Sequence, residues 1–152
     1  MKKITWVIFA LIIGVMLGPT VCPAQNDNEP EILKALYDIN IQKANELILQ
    51  GADVNASGQF GNTPLTVAAQ MGETNTVKLL IDNGADINAK NGFGETALWL
   101  AAANSHADTL KLLIAAGADV NIKNDLGVTP LGWPEFYGET EIVEILKAAG
   151  AN

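Results

Sequence analysis

Gly51-Ala52-Asp53-Val54-Asn55 returns as Gly84-Ala85-Asp86-Ile87-Asn88 and again as Gly117-Ala118-Asp119-Val120-Asn121. Each copy starts 33 residues after the one before, and Gly150-Ala151-Asn152 opens a fourth on the same spacing. A fixed period of about 20–50 residues is the signature of a stacked array of repeats. Such an array exposes a long ordered face, which suits binding better than chemistry in a single enclosed pocket.

Working outward from this turn, the clearest unit runs from Thr63 to Glu95. Thr63 suits a helix N-cap and Pro64 the first helical position, where no N–H is required. Leu65, Ala68 and Ala69 then fall on one helical face, and Met71-Gly72 predicts the end of a short helix. Thr74 is the expected cap of a second helix, with Val77, Leu80 and Ile81 on its inner face and Asn83-Gly84 at its end. Asn91-Gly92 and Gly94 predict that the chain turns back before the next unit. Helices of two or three turns are marginal alone in water, so neighbouring units must stabilise one another. The apolar columns agree: Ile32, Leu65, Leu98 and Leu131; Val77, Leu110 and Val143; Leu47, Leu80, Leu113 and Leu146; and the small column Ala35, Ala68 and Ala101.

T-P-L at the start, A-A within the first helix and L-L-x-x-G-A-D-V-N at the end resemble the ankyrin repeat. The resemblance covers about Pro30 to Asn152. It implies an all-α solenoid of stacked helix-turn-helix units, with β-hairpin-like fingers on one side and first helices lining a concave face. About four units are expected over 31–152, the first (Glu31 to Gln50) degenerate and the last acting as a cap. Polar residues at the outer positions suggest an array finished at both ends: Glu46 where Leu79, Leu112 and Ile145 stand, Glu135 for Ala69 and Ala102, and Lys147 for Ile81 and Ile114.

The pattern departs from the family in places that bear on binding. Thr66, Trp99 and Gly132 occupy the position after T-P-L where the family usually has His, so that residue's hydrogen-bonding role is in question in every unit. Trp99 reads either as packing between first helices or as a partner contact, because aromatics are enriched at binding hot spots. In the last unit Pro134 replaces Ala68 and Ala101, which predicts a kinked or shortened helix. Trp133, Phe136 and Tyr137 around it form either a cap over the core or a binding patch. Phe60, Phe93 and Leu126 recur at one finger position, each just before a glycine. They either pack on the next finger or meet a partner. Gln59, Lys90, Lys123 and Asp125 complete the candidate partner-binding surface around them.

The N-terminus has a different character. Lys2 and Lys3 precede an uncharged, mostly apolar run from Ile4 to Leu17, followed by Gly18-Pro19-Thr20 and Cys22-Pro23-Ala24. That is the layout of a secretory signal peptide, 1–24, with cleavage after Ala24 and a short linker over 25–30. The run is short for a membrane span of about 20 residues, and an uncleaved anchor is the alternative. Cys22 follows Val21 rather than a small residue, which argues against lipidation. The protein is therefore expected to be periplasmic or secreted. After cleavage it has no cysteine and no disulfide, so packing alone holds it.

The chain has nine lysines, no arginine and 17 acids, a net charge of −8. Loss of Lys2 and Lys3 takes it to −10. Nucleic-acid binding needs clustered positive charge, and an anionic membrane surface is disfavoured on the same ground. A basic or neutral protein partner fits better, held by a monomer; the alternative is that the acidity simply keeps an exported protein soluble.

Asp53, Asp86 and Asp119 with Asn55, Asn88 and Asn121 are better read as turn formers than as a calcium ladder, since calcium needs several converging oxygens per ion. A single histidine, His106, makes a transition-metal cluster untenable. Ser105, His106 and Asp108 have the residue types of a catalytic triad but sit too close in sequence for its geometry. No catalytic, metal or cofactor residues are therefore assigned. The expected function is non-enzymatic: a protein–protein interaction module of the cell envelope, acting as an inhibitor or immunity factor against an exported enzyme or toxin, or as an escort of one. The alternatives are a small enzyme or metal protein, or a structural spacer.

Overall fold

The computed structural model describes residues 29–152. The expected signal peptide, its cleavage site and Cys22 lie outside the described residues. Four antiparallel helix pairs follow one another: α1 (Glu31–Tyr37) with α2 (Ile41–Leu49), α3 (Pro64–Met71) with α4 (Thr74–Asp82), α5 (Ala97–Ala103) with α6 (Ala107–Ala115), and α7 (Gly132–Tyr137) with α8 (Thr140–Ala148). First helices pack on first helices and second on second, so that each pair touches the next along a single stack. None of the described helices is long and apolar enough to cross a membrane.

Local sequence sets the helix ends. The Thr63 hydroxyl accepts from the Thr66 amide while the Thr66 hydroxyl accepts from the Thr63 amide, a reciprocal cap ahead of Pro64. Thr66 thus supplies a capping hydroxyl at the position where the family's histidine is missing. Gly72 closes α3 in the left-handed region. The second helix starts differently from the sequence expectation: Glu73 occupies the cap position and Thr74 is the first helical residue. Its hydroxyl instead meets that of Thr109, 2.8 Å away in the next unit.

The predicted columns form the core. Ile32, Leu65, Leu98 and Leu131 are all buried, as are Leu80, Leu113 and Leu146. Full burial of such a side chain contributes about 1.5–3 kcal/mol, so the stack rests on these rows. Ala68 and Ala101 are fully buried and let α3 and α5 approach closely. Leu47 and Val143 depart from their columns: each is only partly buried, while the neighbouring Ile48 and Ile142 are buried.

A side-chain ladder joins the units behind the core. The Asp86 amide donates to Asn55 Oδ1 at 2.8 Å, the Asp119 amide to Asn88 Oδ1 at 2.9 Å, and the Asn152 amide to Asn121 Oδ1 at 3.1 Å. Asp53, Asp86 and Asp119 each accept from the amide two residues on, closing the local turn. The recurring Asp and Asn residues therefore act as turn formers and inter-unit ties.

In the last unit, the shortened helix forms as Pro134 predicts. Helix α7 begins at Gly132, two residues later than its counterparts, which places the proline in the first turn, where a missing N–H costs nothing. The two polar replacements at this end meet each other: Lys147 Nζ lies 2.7 Å from Glu135 Oε1. This exposed pair contributes at most about 1 kcal/mol, and its main effect is to keep the outer surface wet.

Candidate functional site

Three fingers project between the helix pairs, over residues 58–62, 91–95 and 124–128. Each is closed at its base by a backbone bond, Gly58 N–H to Asn62 O, Asn91 N–H to Glu95 O and Asn124 N–H to Val128 O, with a further bond inside the turn from Gly61, Gly94 or Gly127 N–H to the first residue's carbonyl. Among the described residues they contain no strand, only turns and one 3-10 turn (Gln59–Gly61). In the second finger the buried Asn91 side chain accepts from the amides of Phe93 and Glu95, each at 3.0 Å. In the third, Asn124 accepts from Leu126 and Val128 in the same way.

The first finger has no such asparagine. Gly58 stands in its place, and the carboxylate of Glu29, from the segment before α1, accepts from the Gln59 amide at 3.2 and 3.3 Å. A Cβ at residue 58 would overlap that carboxylate and the tip of Leu33. Glu29 is buried. It thus fills the space of the missing side chain and supplies a clamp to the first finger.

The fingers are also bonded to each other. Phe60 O accepts from the Gly92 amide at 2.6 Å, and Phe93 O from the Asp125 amide at 3.0 Å. The bond at Gly92 is the shorter, and a Cβ there would come within 2.7 Å of Phe60 O. Phe60 adopts φ +55°, a strained region for a bulky residue. Its ring stacks on Phe93 with centroids 6.0 Å apart and an interplanar angle of 26°. Stacking leaves Phe60 63% and Phe93 42% exposed, and Leu126 at the third tip is 82% exposed. Around them Gln59 is half-buried, while Lys90, Lys123 and Asp125 are exposed. Lys90 Nζ donates to the Lys123 carbonyl, tying the bases of two fingers.

Trp99 is 4% exposed, and its indole N–H donates to Val128 O at 3.3 Å. Packing is what this side chain does here; it offers a partner almost no surface. From it an aromatic chain runs outward: Trp99 to Trp133 at 6.2 Å, Trp133 to Tyr137 at 5.1 Å, and Tyr137 edge-on to Phe136 at 5.1 Å. Trp133 is half-buried, Tyr137 is partly exposed and Phe136 is 82% exposed. The inner members of this group pack, and the outer ones face solvent. Phe136 shares a repeat position with Tyr37, Gln70 and Ala103 on the first helices, so an aromatic ring stands at each end of that column.

Sequence reasoning missed a polar relay below the fingers. Asn62 Nδ2 donates to Tyr37 Oη at 3.3 Å, and Asn91 Nδ2 reaches Asn62 Oδ1 at 3.3 Å and Glu95 Oε2 at 3.0 Å. Burial raises the pKa of Glu95; the Asn91 hydrogen bond opposes this, and the negative charge of Asp125 adds to it. Tyr37 is raised by burial too, with the Asn62 bond opposing and the Glu29 charge reinforcing. The break at Gly58 in an otherwise recurring asparagine position was the available hint that another group clamps finger one.

His106 caps no catalytic group. Its Nε2 lies 2.9 Å from Gln70 O and its ring covers Gly72, so it fastens α6 to the preceding unit. Among the described residues, no group of three or more His, Cys, Asp or Glu could hold a metal ion.

No curated protein matches the chain. The ankyrin repeats (3 copies) family model matches residues 23–124 and again residues 84–152. Modules of this kind are in general protein–protein interaction devices and not catalysts. With that match over most of its length, and with short helices stacked in pairs, the chain belongs to the ankyrin repeat family.

Proposed function

We propose that this protein is an exported, monomeric binding module that holds one protein partner against its fingers and first-helix face. It acts there either as inhibitor of an exported enzyme or toxin, or as its escort. The observation that carries this reading is the row of exposed apolar tips, Phe60, Phe93 and Leu126, in register on hydrogen-bonded fingers. Rigid presentation matters because ordering a loop on binding costs affinity. The acidic balance favours a partner with a basic face and speeds their encounter. The order of residues at the N-terminus supports export.

The test uses mature chain, Gln25 to Asn152, as bait in the envelope fraction of the source cells. Its control carries Phe60→Ala, Phe93→Ala and Leu126→Ala and must keep the wild-type circular dichroism. A protein retained by wild type and lost by the variant supports the module. The partner's own behaviour then separates the roles: its activity falls on binding if this chain inhibits, and survives heating longer if this chain escorts. Identical retention by both baits would sink the finger surface. N-terminal sequencing of the exported protein checks the cleavage, with Gln25 expected first.

A further inference from the structure

Between the first two fingers and the first helices lies a cleft of about 30 Å³ lined by Phe60, Asn62, Gln70, Asn91, Phe93 and Glu95. Two aromatic side chains and one carboxylate thus border a small space that admits water-sized groups. Glu95 is 5% exposed, yet none of the ion pairs among the described residues includes it. Its carboxylate accepts one side-chain hydrogen bond, from Asn91. The nearby lysine, Lys90, directs its ammonium to the Lys123 carbonyl instead. Buried carboxylates are ordinarily paired with a cation or satisfied by several donors, so this one is short of counter-charge.

We propose that the cleft is a subsite for a lysine side chain of the protein partner, its ammonium entering beside the Glu95 carboxylate next to the stacked Phe60 and Phe93 rings. This rests on the binding-module reading and says what chemistry the partner must present. Size selects the cation. An ammonium is a compact point charge with three donors, comparable to the water-sized space; a planar guanidinium is larger and needs a broader, bidentate site. The methylene stem of a lysine covers the exposed parts of the two stacked rings. The corresponding positions in the other fingers, Asn62 and Val128, have no charge, so the subsite is specific to the second finger.

The experiment is an NMR titration of the isotopically labelled chain with three end-blocked tripeptides, Gly-Lys-Gly, Gly-norleucine-Gly and Gly-Arg-Gly. The lysine peptide is expected to shift the Phe93 and Glu95 amides saturably. The norleucine peptide, alike in length but uncharged, is expected to leave them in place, and the arginine peptide to bind more weakly. Glu95→Gln keeps the Asn91 contact and should weaken lysine binding about tenfold, the loss of one charged hydrogen bond. Equal shifts with lysine and norleucine, tighter binding of arginine, no saturable shift at all, or unchanged affinity in Glu95→Gln would each overturn the subsite. The two readings fail separately. A partner captured equally by wild type and Glu95→Gln leaves the module standing without this subsite, whereas lysine binding with no captured partner removes the module.

Discussion

The first and second fingers are held by different means and differ at the tip: Phe60 takes φ +55° within a 3-10 turn, and Phe93 does not. The second is clamped from within by Asn91, one side chain that closes two amides of its own turn. The first lacks that residue and is clamped from outside by Glu29, which precedes the first helix. An internal clamp travels with the repeat wherever the repeat is copied. A borrowed clamp works only at the end of the array, where chain outside the units is free to fold back over Gly58. The first finger lacks the asparagine in sequence yet has an acceptor on its turn. Its missing residue is replaced in space, not in register.

The comparison predicts an order of damage. Asn91→Ala should be the most harmful single change, because it strips an acceptor from two amides and a donor from Asn62 and Glu95 inside a buried turn. Unsatisfied buried groups cost about 1–3 kcal/mol each, so a loss of about 2–3 kcal/mol in denaturant unfolding is expected. A loss under half that size would mean water replaces the clamp. Glu29→Ala should cost about 1 kcal/mol, the scale of a single capping interaction, with faster hydrogen exchange at the Gln59 amide and little change at Phe93. Equal acceleration in both fingers would break the distinction.

Gly58→Asn tests the substitution of one clamp by the other. In the wild-type background it should destabilise, since its Cβ overlaps Glu29 and Leu33. Combined with Glu29→Ala it should recover most of the roughly 1 kcal/mol lost, by restoring the internal clamp. Additive damage in the double variant would show that Glu29 acts through something other than the finger.

The smallest effect concerns pH. Glu95 has a raised pKa in the folded protein, so the folded state holds that proton more tightly than the unfolded chain does. Its contribution to stability is therefore greatest in acid and declines as pH rises from the ordinary carboxylate range through the raised value. Glu95→Gln should remove this decline. Thermal melts are expected to favour the variant above that window and to converge with wild type below it. Parallel curves across the range would contradict the assignment.

Much of this architecture was legible because a repeat is tested against itself. The leucine and alanine columns, the Gly72 helix end and the shortened helix at Pro134 follow from period and local geometry. What escaped were contacts between positions that do not repeat. Glu29 over Gly58 joins a single residue to an absence, and the relay from Tyr37 through Asn62 and Asn91 to Glu95 crosses two units by side chains of different kinds. Trp99 was ambiguous for the same reason: only the backbone of the following finger, at Val128, decides that its indole turns inward. Thr74 has the chemistry of a cap, but Glu73 takes that place and frees the hydroxyl for Thr109.

The asparagine ladder from Asn55 to Asn152 has a consequence for how the chain folds. Every rung joins a unit to its immediate neighbour, across 29 or 31 residues, and among the described residues the core helices make their main contacts within a pair or with the adjacent pair. No unit waits for a distant part of the chain before it can dock. Order can start at the central pairs, where both neighbours are present, and spread one unit at a time toward either end. Among the described residues the outermost helices meet a neighbouring pair on one side, so of these they are the last to set and the first to open.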